Sequence, residues 1–240
     1  MLIVPTYNER VNIAALVVRV RAAAPSEPIL FVDDSSPDGT AEEVRRIQQK
    51  DHNVHLIVRP GKGGYGSACR EAMMKIIAEG QATHVIQFDA DLSHPAEALP
   101  RMLELLASYP VVIGSRYVRG GRTENWGLRR RLLSRCGNLY ARLLTGVPVR
   151  DVTAGFVGYQ VAALKQLDLR AIRSEGYAFL MEMKFTLHRL GTRMFEFPIT
   201  FSERGAGRSK FSMRILLEGA CYPARALGRR IAGDGSSRAR

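Results

Sequence analysis

Cysteine is scarce in this 240-residue chain. Cys69, Cys136 and Cys221 are odd in number, scattered, and form no CxxC pair. That argues against a disulfide framework or a cysteine-built zinc site and points to a reducing, cytosolic setting. The five histidines, His52, His55, His84, His94 and His188, lack zinc spacing as well. No uninterrupted apolar run approaches the ~18 residues needed to span a bilayer. The N-terminus lacks the charged, apolar and small-residue order of a secretory signal. No Ser-His-Asp or Cys-His set offers itself for nucleophilic catalysis. No repeat, linker or low-complexity block marks a domain boundary, so a single domain is expected.

Acidic residues are also sparse, but only in one half. Residues 1–110 hold 11 Lys+Arg and 14 Asp+Glu; residues 111–240 hold 24 and 9. The overall net charge of +12 therefore comes from the second half. That asymmetry calls for an anionic partner, whether nucleic acid, an anionic membrane surface or phosphates, unless it is only a solubilising surface. A hydrophobic content of 46% fits a globular chain, and the length allows one substantial core.

The first half alternates between strand and helix patterns. Leu2-Ile3-Val4 opens it, followed by a helix from Asn8 to Ala24 with Ile13, Leu16, Val17 and Val20 on one face. Asn8 is its expected N-cap. "PILFVDD" is an apolar strand ending in acids, and Thr40 with Glu43 reads as a capping box opening a helix to about Lys50. "VHLIV", "HVIQF" and "VVIG" are three more strands, separated by helices to about Glu79 and from Pro95 to Ser108. Strands spaced by helices predict an α/β fold with a mostly parallel sheet flanked by helices. In the second half, Leu128–Leu144 reads as a helix with Leu132, Cys136, Leu139 and Leu143 along one side and Arg129, Arg130, Arg131, Arg135 and Arg142 elsewhere. "GFVGYQ" and "RMFEFPITF" read as strands, the second at an edge because of Pro198, and Tyr177–Leu190 as a helix. A glycine-bearing loop, 202–209, precedes a final amphipathic helix, and a disordered tail is expected at 233–240.

In an open parallel sheet, ligands bind beyond the carboxyl ends of the strands. Three polar clusters fall there: "PTYNE", "VDDSSPDGT" and "FDADLSHP". In the last, Asp89 and Asp91 alternate by two and point the same way along an extended segment. Two like charges side by side repel, so a positive group must join them. A hard divalent cation, Mg²⁺ or Mn²⁺, meets that need and commonly bridges to substrate phosphates. The bland reading is one acid capping a turn and the other solvated. "GKGGYG" is neither a P-loop nor a dinucleotide fingerprint, and Lys62 within it serves a phosphate or only a tight turn.

In this order, "VPTYNE", "VDDSSPDGT", "KGGYGSA", "DADLSHP", "GSRY", "DVTAGF" and "ERGAGRSK" resemble the dolichol-phosphate (polyprenol-phosphate) mannose synthases, inverting glycosyltransferases of the Rossmann-like GT-A fold. The resemblance covers roughly residues 2–212. It implies one domain over 1–232, with a nucleotide half to about residue 115 and an acceptor half from 116. It implies transfer of mannose from GDP-mannose to a polyprenyl phosphate, with Mg²⁺ or Mn²⁺. Residue by residue, Pro5, Tyr7 and Glu9 match positions that hold base and ribose, and Val32 and Asp34 match further nucleoside contacts. Asp89, Ala90 and Asp91 match the metal and diphosphate motif, Arg116 a basic contact near the phosphates, and Arg204 and Lys210 a loop that closes over them. Asp91, Arg116, Arg204 and Lys210 are thereby the catalytic candidates. Arg130, Ser134 and Arg135 are candidates for the acceptor phosphate. Where some relatives have Gln as a third metal ligand, this chain has Ser93. Many relatives carry C-terminal transmembrane helices, which this sequence does not show.

A lipid phosphate is largely dianionic at pH 7 and needs no general base, so His94 is expected to serve as a hydrogen-bonding loop residue. Asp151 either orients an arginine, positions the sugar, or stabilises a turn through Thr153. A lipid acceptor implies peripheral docking on the cytoplasmic face of the membrane, through the basic 129–142 face, the final helix or a separate membrane-anchoring protein. Two other readings stay open: a different donor such as UDP-glucose, and a nucleic-acid-binding protein. The latter leaves the acids unexplained and shows no recognition motif.

Overall fold

The computed structural model describes residues 1–202 and 213–232. In chain order the elements are β1 (Leu2–Thr6), α1 (Arg10–Ala23), β2 (Ile29–Asp33), α2 (Thr40–Gln48), β3 (Val54–Val58), α3 (Tyr65–Glu79) and β4 (His84–Gln87). A 3₁₀ turn at Ala96–Ala98 then leads into α4 (Leu99–Leu106), followed by β5 (Val111–Ser115), β6 (Arg122–Thr123) and α5 (Leu128–Thr145). The rest are β7 (Val157–Gln160), α6 (Val161–Leu164), α7 (Gly176–Arg189), β8 (Met194–Pro198), β9 (Thr200–Phe201) and α8 (Met213–Ile231).

Seven strands form one sheet in the order β3-β2-β1-β4-β7-β5-β8. All run parallel except β7, which is antiparallel to both β4 and β5. The alternation of strand side chains divides the core in two. Leu2, Val4, Ile29 and Phe31 face α1 and α4, while Ile3, Leu30 and Val32 face α3 and α7. Burial on both faces explains why these strands are continuous apolar runs. Pro198 ends β8 at the sheet edge, as expected of a residue with no N–H to give.

Three local expectations change. The first helix starts at Arg10, because Asn8 adopts a left-handed conformation (φ 56°) and Glu9 takes the N-cap position. The expected capping box is absent: Thr40 is the first residue of α2, and Gly39 is the N-cap. The Thr40 hydroxyl instead donates to Asp38 and accepts from the Glu9 N–H, tying the β2–α2 loop to the start of α1. In α5 the expected apolar side faces outward. Leu132, Leu139 and Leu143 are exposed, and the helix meets the core through Asn138, Ala141 and Thr145. α8 runs continuously through Gly219 and Pro223 because it lies across α5 and α7, with Tyr222 and Ala226 buried. The expected 233–240 tail lies outside the described residues.

Candidate active site

Strands β1, β2, β4 and β5 share a direction, so their carboxyl ends share one edge of the sheet. The antiparallel β7 begins at that edge, which brings the preceding segment, Asp151–Phe156, to it as well. A cavity of about 380 Å³ opens there. Pro5, Tyr7, Glu9, Asp34, Lys62, Asp89, Ala90, Asp91, Arg116 and Arg130 all line it. Leu92, the residue after Asp91, has φ 63°, and Ser35, just beyond β2, has φ 52°. Non-glycine residues in this region are costly, and here they mark the turns that aim the polar clusters inward.

The acid pair is held in place from behind. The Asp89 N–H donates to His94 Nδ1 at 3.0 Å, and His94 Nε2 lies 3.5 Å from Asp89 Oδ2. Phe156 stacks on the His94 ring. Asp91, buried, accepts the Ser93 N–H at 3.1 Å. Across the cavity, Asp151 accepts from Arg116 Nε (2.8 Å) and Nη2 (2.6 Å) and from the Arg116 backbone N–H (2.9 Å). Arg116 Nη2 also reaches Thr153 Oγ1 at 3.0 Å. Burial alone would lower the guanidinium pKa, but the Asp151 pair more than offsets it and keeps Arg116 charged. Its Nη1 has no hydrogen bond among the described residues, leaving that edge for an anion. Tyr117, Trp126 and Phe201 surround the guanidinium, 5.2 to 5.7 Å from their ring centres. Arg130 lies over Trp126 at 4.1 Å.

The glycine-rich loop does not present its amides to the cavity. Gly63 and Gly64 N–H donate to Asp34 Oδ2, and Asp34 also pairs with Arg59. The Gly66 and Ser67 N–H groups at the start of α3 donate to Glu175. Two carboxylates thus take the amides a phosphate would have used. A Cβ on Gly66 would sit 2.6 Å from the Ser174 carbonyl, so only glycine fits there. Lys62 remains on the cavity wall, its ammonium 4.1 Å above the Tyr7 ring.

Three expected site residues, Val32, Ser134 and Arg135, do not line the cavity. Val32 is fully buried in β2, packed toward α3, and does not line the cavity. Strand alternation turns its side chain into the core, so that side chain does not face the cavity. Arg135 is exposed outside the cavity lining, and Ser134 is bonded to Tyr117 (2.7 Å) one turn from Arg130. Arg204 and Lys210 lie outside the described residues.

A family model described as "Glycosyl transferase family 2" matches residues 1–168. The chain belongs to this family. It is 41% identical over 216 residues to undecaprenyl-phosphate mannosyltransferase of Micrococcus luteus, covering 90% of this chain and 88% of that protein. It is 41% identical over 214 residues to polyprenol monophosphomannose synthase of Mycolicibacterium smegmatis, covering 88% and 80%. Among solved structures it is similar to glucosyl-3-phosphoglycerate synthase from Mycobacterium tuberculosis in complex with Mn²⁺, uridine-diphosphate and glucosyl-3-phosphoglycerate. That match has a TM-score of 0.66 at 16% identity and covers 95% of this chain and 78% of the other. This last likeness concerns the fold.

As a family 2 glycosyltransferase, the chain is an enzyme, and its acid pair can be judged as a seat for a cation. Among the described residues no third His, Cys, Asp or Glu completes a metal cluster. Two carboxylates suit a Mg²⁺-type ion that keeps most of its oxygen shell from phosphates and water. The buried Ser93 hydroxyl, two residues on, has no hydrogen-bond partner among the described residues and is a further oxygen of the right kind. The residues therefore fit the ion. Sequence reasoning missed the aromatic wall of Tyr65, Trp126, Tyr177 and Phe201, all of which line the cavity. One signal was available: Trp126 is the only tryptophan in the chain.

Proposed function

We propose that the protein transfers mannose from GDP-mannose to a polyprenyl phosphate, with inversion at the sugar carbon, giving polyprenyl-phosphate-mannose and GDP. The observation that carries this reading is the pairing of Asp89 and Asp91 with the buried, anchored Arg116 across one cavity. Such a site brings two anions together and stabilises a departing diphosphate. The mannosyltransferase names of the 41%-identical relatives support the sugar and the lipid phosphate. Asp89 and Asp91 would hold Mg²⁺ or Mn²⁺, which neutralises charge on the leaving diphosphate when bound. Glu9, Tyr7 and Pro5, at the β1 end, take the nucleoside; Arg116 and Arg130 take phosphate oxygens. Arg204 and Lys210, which the family resemblance assigns to the donor and acceptor phosphates, lie outside the described residues. Those two cations are the proposed closing residues.

No helix among the described residues is long and apolar enough to cross a membrane. The acceptor is nevertheless a membrane lipid. Peripheral docking follows, through the outward face of α5, where exposed leucines lie beside Arg129, Arg135 and Arg142.

The test is mannose transfer to a short polyprenyl phosphate by the purified protein. Asp91→Asn should cut turnover by about a hundredfold or more and leave the fold intact, since it removes repulsion within the acid pair. Undiminished turnover in excess EDTA, or a fully active Asp91→Asn variant, would contradict the metal reading.

A further inference from the structure

Lys184 is a residue that the proposed reaction does not use. It projects from α7, and its side chain is fully buried. Its ammonium donates to the Ala154 carbonyl at 2.8 Å and, weakly, to the Leu180 carbonyl of its own helix at 3.4 Å. Among the described residues it forms no ion pair. An apolar side chain of similar length would avoid the desolvation cost of such a lone charge.

The position of its acceptor gives the amine a role. Ala154 lies in the middle of the segment that joins the two sides of the site. On one side Asp151 and Thr153 hold Arg116, and Thr153 also bonds Asn138 of α5. On the other, Gly155 lies against the acid pair: a Cβ there would be 3.5 Å from the His94 ring and 3.7 Å from Asp89 Oδ2. Phe156 stacks on His94. A group that fixes Ala154 fixes both halves of the site at once.

We propose that Lys184 is a positioning residue of the transfer site: its ammonium pins the Ala154 carbonyl, and it takes up a proton from solvent as anionic ligands fill the cavity. The charged groups facing it are Asp151 ahead of β7, Arg116 at the end of β5, and Glu196 of β8. Glu196 is itself bonded to the Arg150 and Asp151 N–H groups. Burial pushes the Lys184 pKa down to about 7, Asp151 and Glu196 pull it up, and Arg116 opposes them. Both forms are therefore populated near neutral pH. Phosphate charge entering the cavity favours the ammonium, and the ammonium in turn favours phosphate charge, because linkage is reciprocal.

The proposal rests on the cavity being a nucleoside diphosphate site, and GDP with Mg²⁺ is the probe. Calorimetric titrations at pH 7.5, in two buffers of different ionisation enthalpy, read the protons taken up on binding. Wild type should take up more than Lys184→Met or Lys184→Gln. Its affinity should also weaken from pH 7 to 9, by at most about tenfold per pH unit for one linked proton, more steeply than in either variant. Lys184→Gln keeps a donor for Ala154 without the charge, so it should recover kcat lost in Lys184→Met without recovering proton uptake. It also serves as the readout if the Met variant does not fold.

Stability supplies a second reading. Unfolded lysine keeps its proton to about pH 10.4, so the buried amine opposes folding most at pH 7 and below. The Lys184→Met variant should therefore melt above wild type at pH 6, with the difference shrinking to nothing as pH rises from 7 to 10.5. Equal proton uptake by wild type and both variants, or a Met variant less stable at every pH, would overturn the proposal. Failure of GDP to bind any of the three would instead overturn the reading of the cavity.

Discussion

His94 is the residue next to the acid pair that most invites a catalytic role, and its geometry argues against one. Its Nδ1 is occupied by the Asp89 N–H, and its Nε2 faces the Asp89 carboxylate. Both nitrogens are spent on holding one acid, and Phe156 fixes the ring plane. A dianionic phosphate needs no base, so the acid limb of the rate profile should follow the acceptor's own second ionisation, near ~6. His94→Ala should slow transfer by about tenfold or less, through a looser Asp89. A loss of ~10²–10⁴, the range for removing a general base, would show that the imidazole moves a proton. Asp151 is a second residue whose role the geometry decides among the readings the sequence left open. Its two oxygens hold Arg116 by the backbone N–H and by the Nε–Nη2 edge of the guanidinium, which makes it the arginine's orienting partner.

At the scale of elements, α5 is the informative one. Leu128, Leu132, Leu139 and Leu143 recur at helical spacing, which in sequence looks the same whether the stripe faces a core or not. The structure turns it outward, because the small and polar residues Asn138, Ala141 and Thr145 are the ones that fit against the Thr153 segment and the core. In the proposed function, an apolar stripe beside arginines, on a helix whose Arg130 lines the cavity, is the surface that docks on the membrane next to the acceptor's point of entry. Replacing Leu132 and Leu139 together with Glu should reduce binding to anionic vesicles by about tenfold or more, as expected for losing two partly buried leucines. Turnover of a short, water-soluble polyprenyl phosphate should be little changed. Equal loss with the soluble acceptor would make α5 part of the catalytic frame instead. The parallel strands were legible because each is an apolar run ending in a polar cluster. β6 was not, since two residues carry no period, and the single strand read at "RMFEFPITF" divides at Ile199 into β8 and β9. The orientation of β7 was also hidden, since nothing local in "VGYQ" separates a parallel from an antiparallel strand. The Thr40–Glu43 signature misled because Asp38 and Glu9 engage the hydroxyl that a capping box requires.

On the scale of the whole molecule, the uneven charge of the sequence becomes a division across one cavity. Glu9, Asp34, Asp89 and Asp91 come from the acidic first half; Arg116 and Arg130 come from the basic second half. The fold brings these halves together because the sheet continues from β4 through β7 to β5. Most of the site was therefore readable as clusters at strand ends. What the sequence did not show depends on packing: Val32 turned inward, and Tyr65, Tyr177 and Phe201 joined the lone Trp126 in one aromatic wall. The central claim is that this divided cavity moves mannose from a guanosine diphosphate sugar onto a lipid phosphate. A competition assay tests it most directly, with equimolar GDP-mannose and UDP-glucose, a short polyprenyl phosphate and Mg²⁺, and the product's sugar and anomeric configuration read by NMR. The account predicts polyprenyl-phosphate-mannose, inverted relative to the donor, as the dominant product. Glucose as the main transferred sugar, or retention at the anomeric carbon, would contradict it.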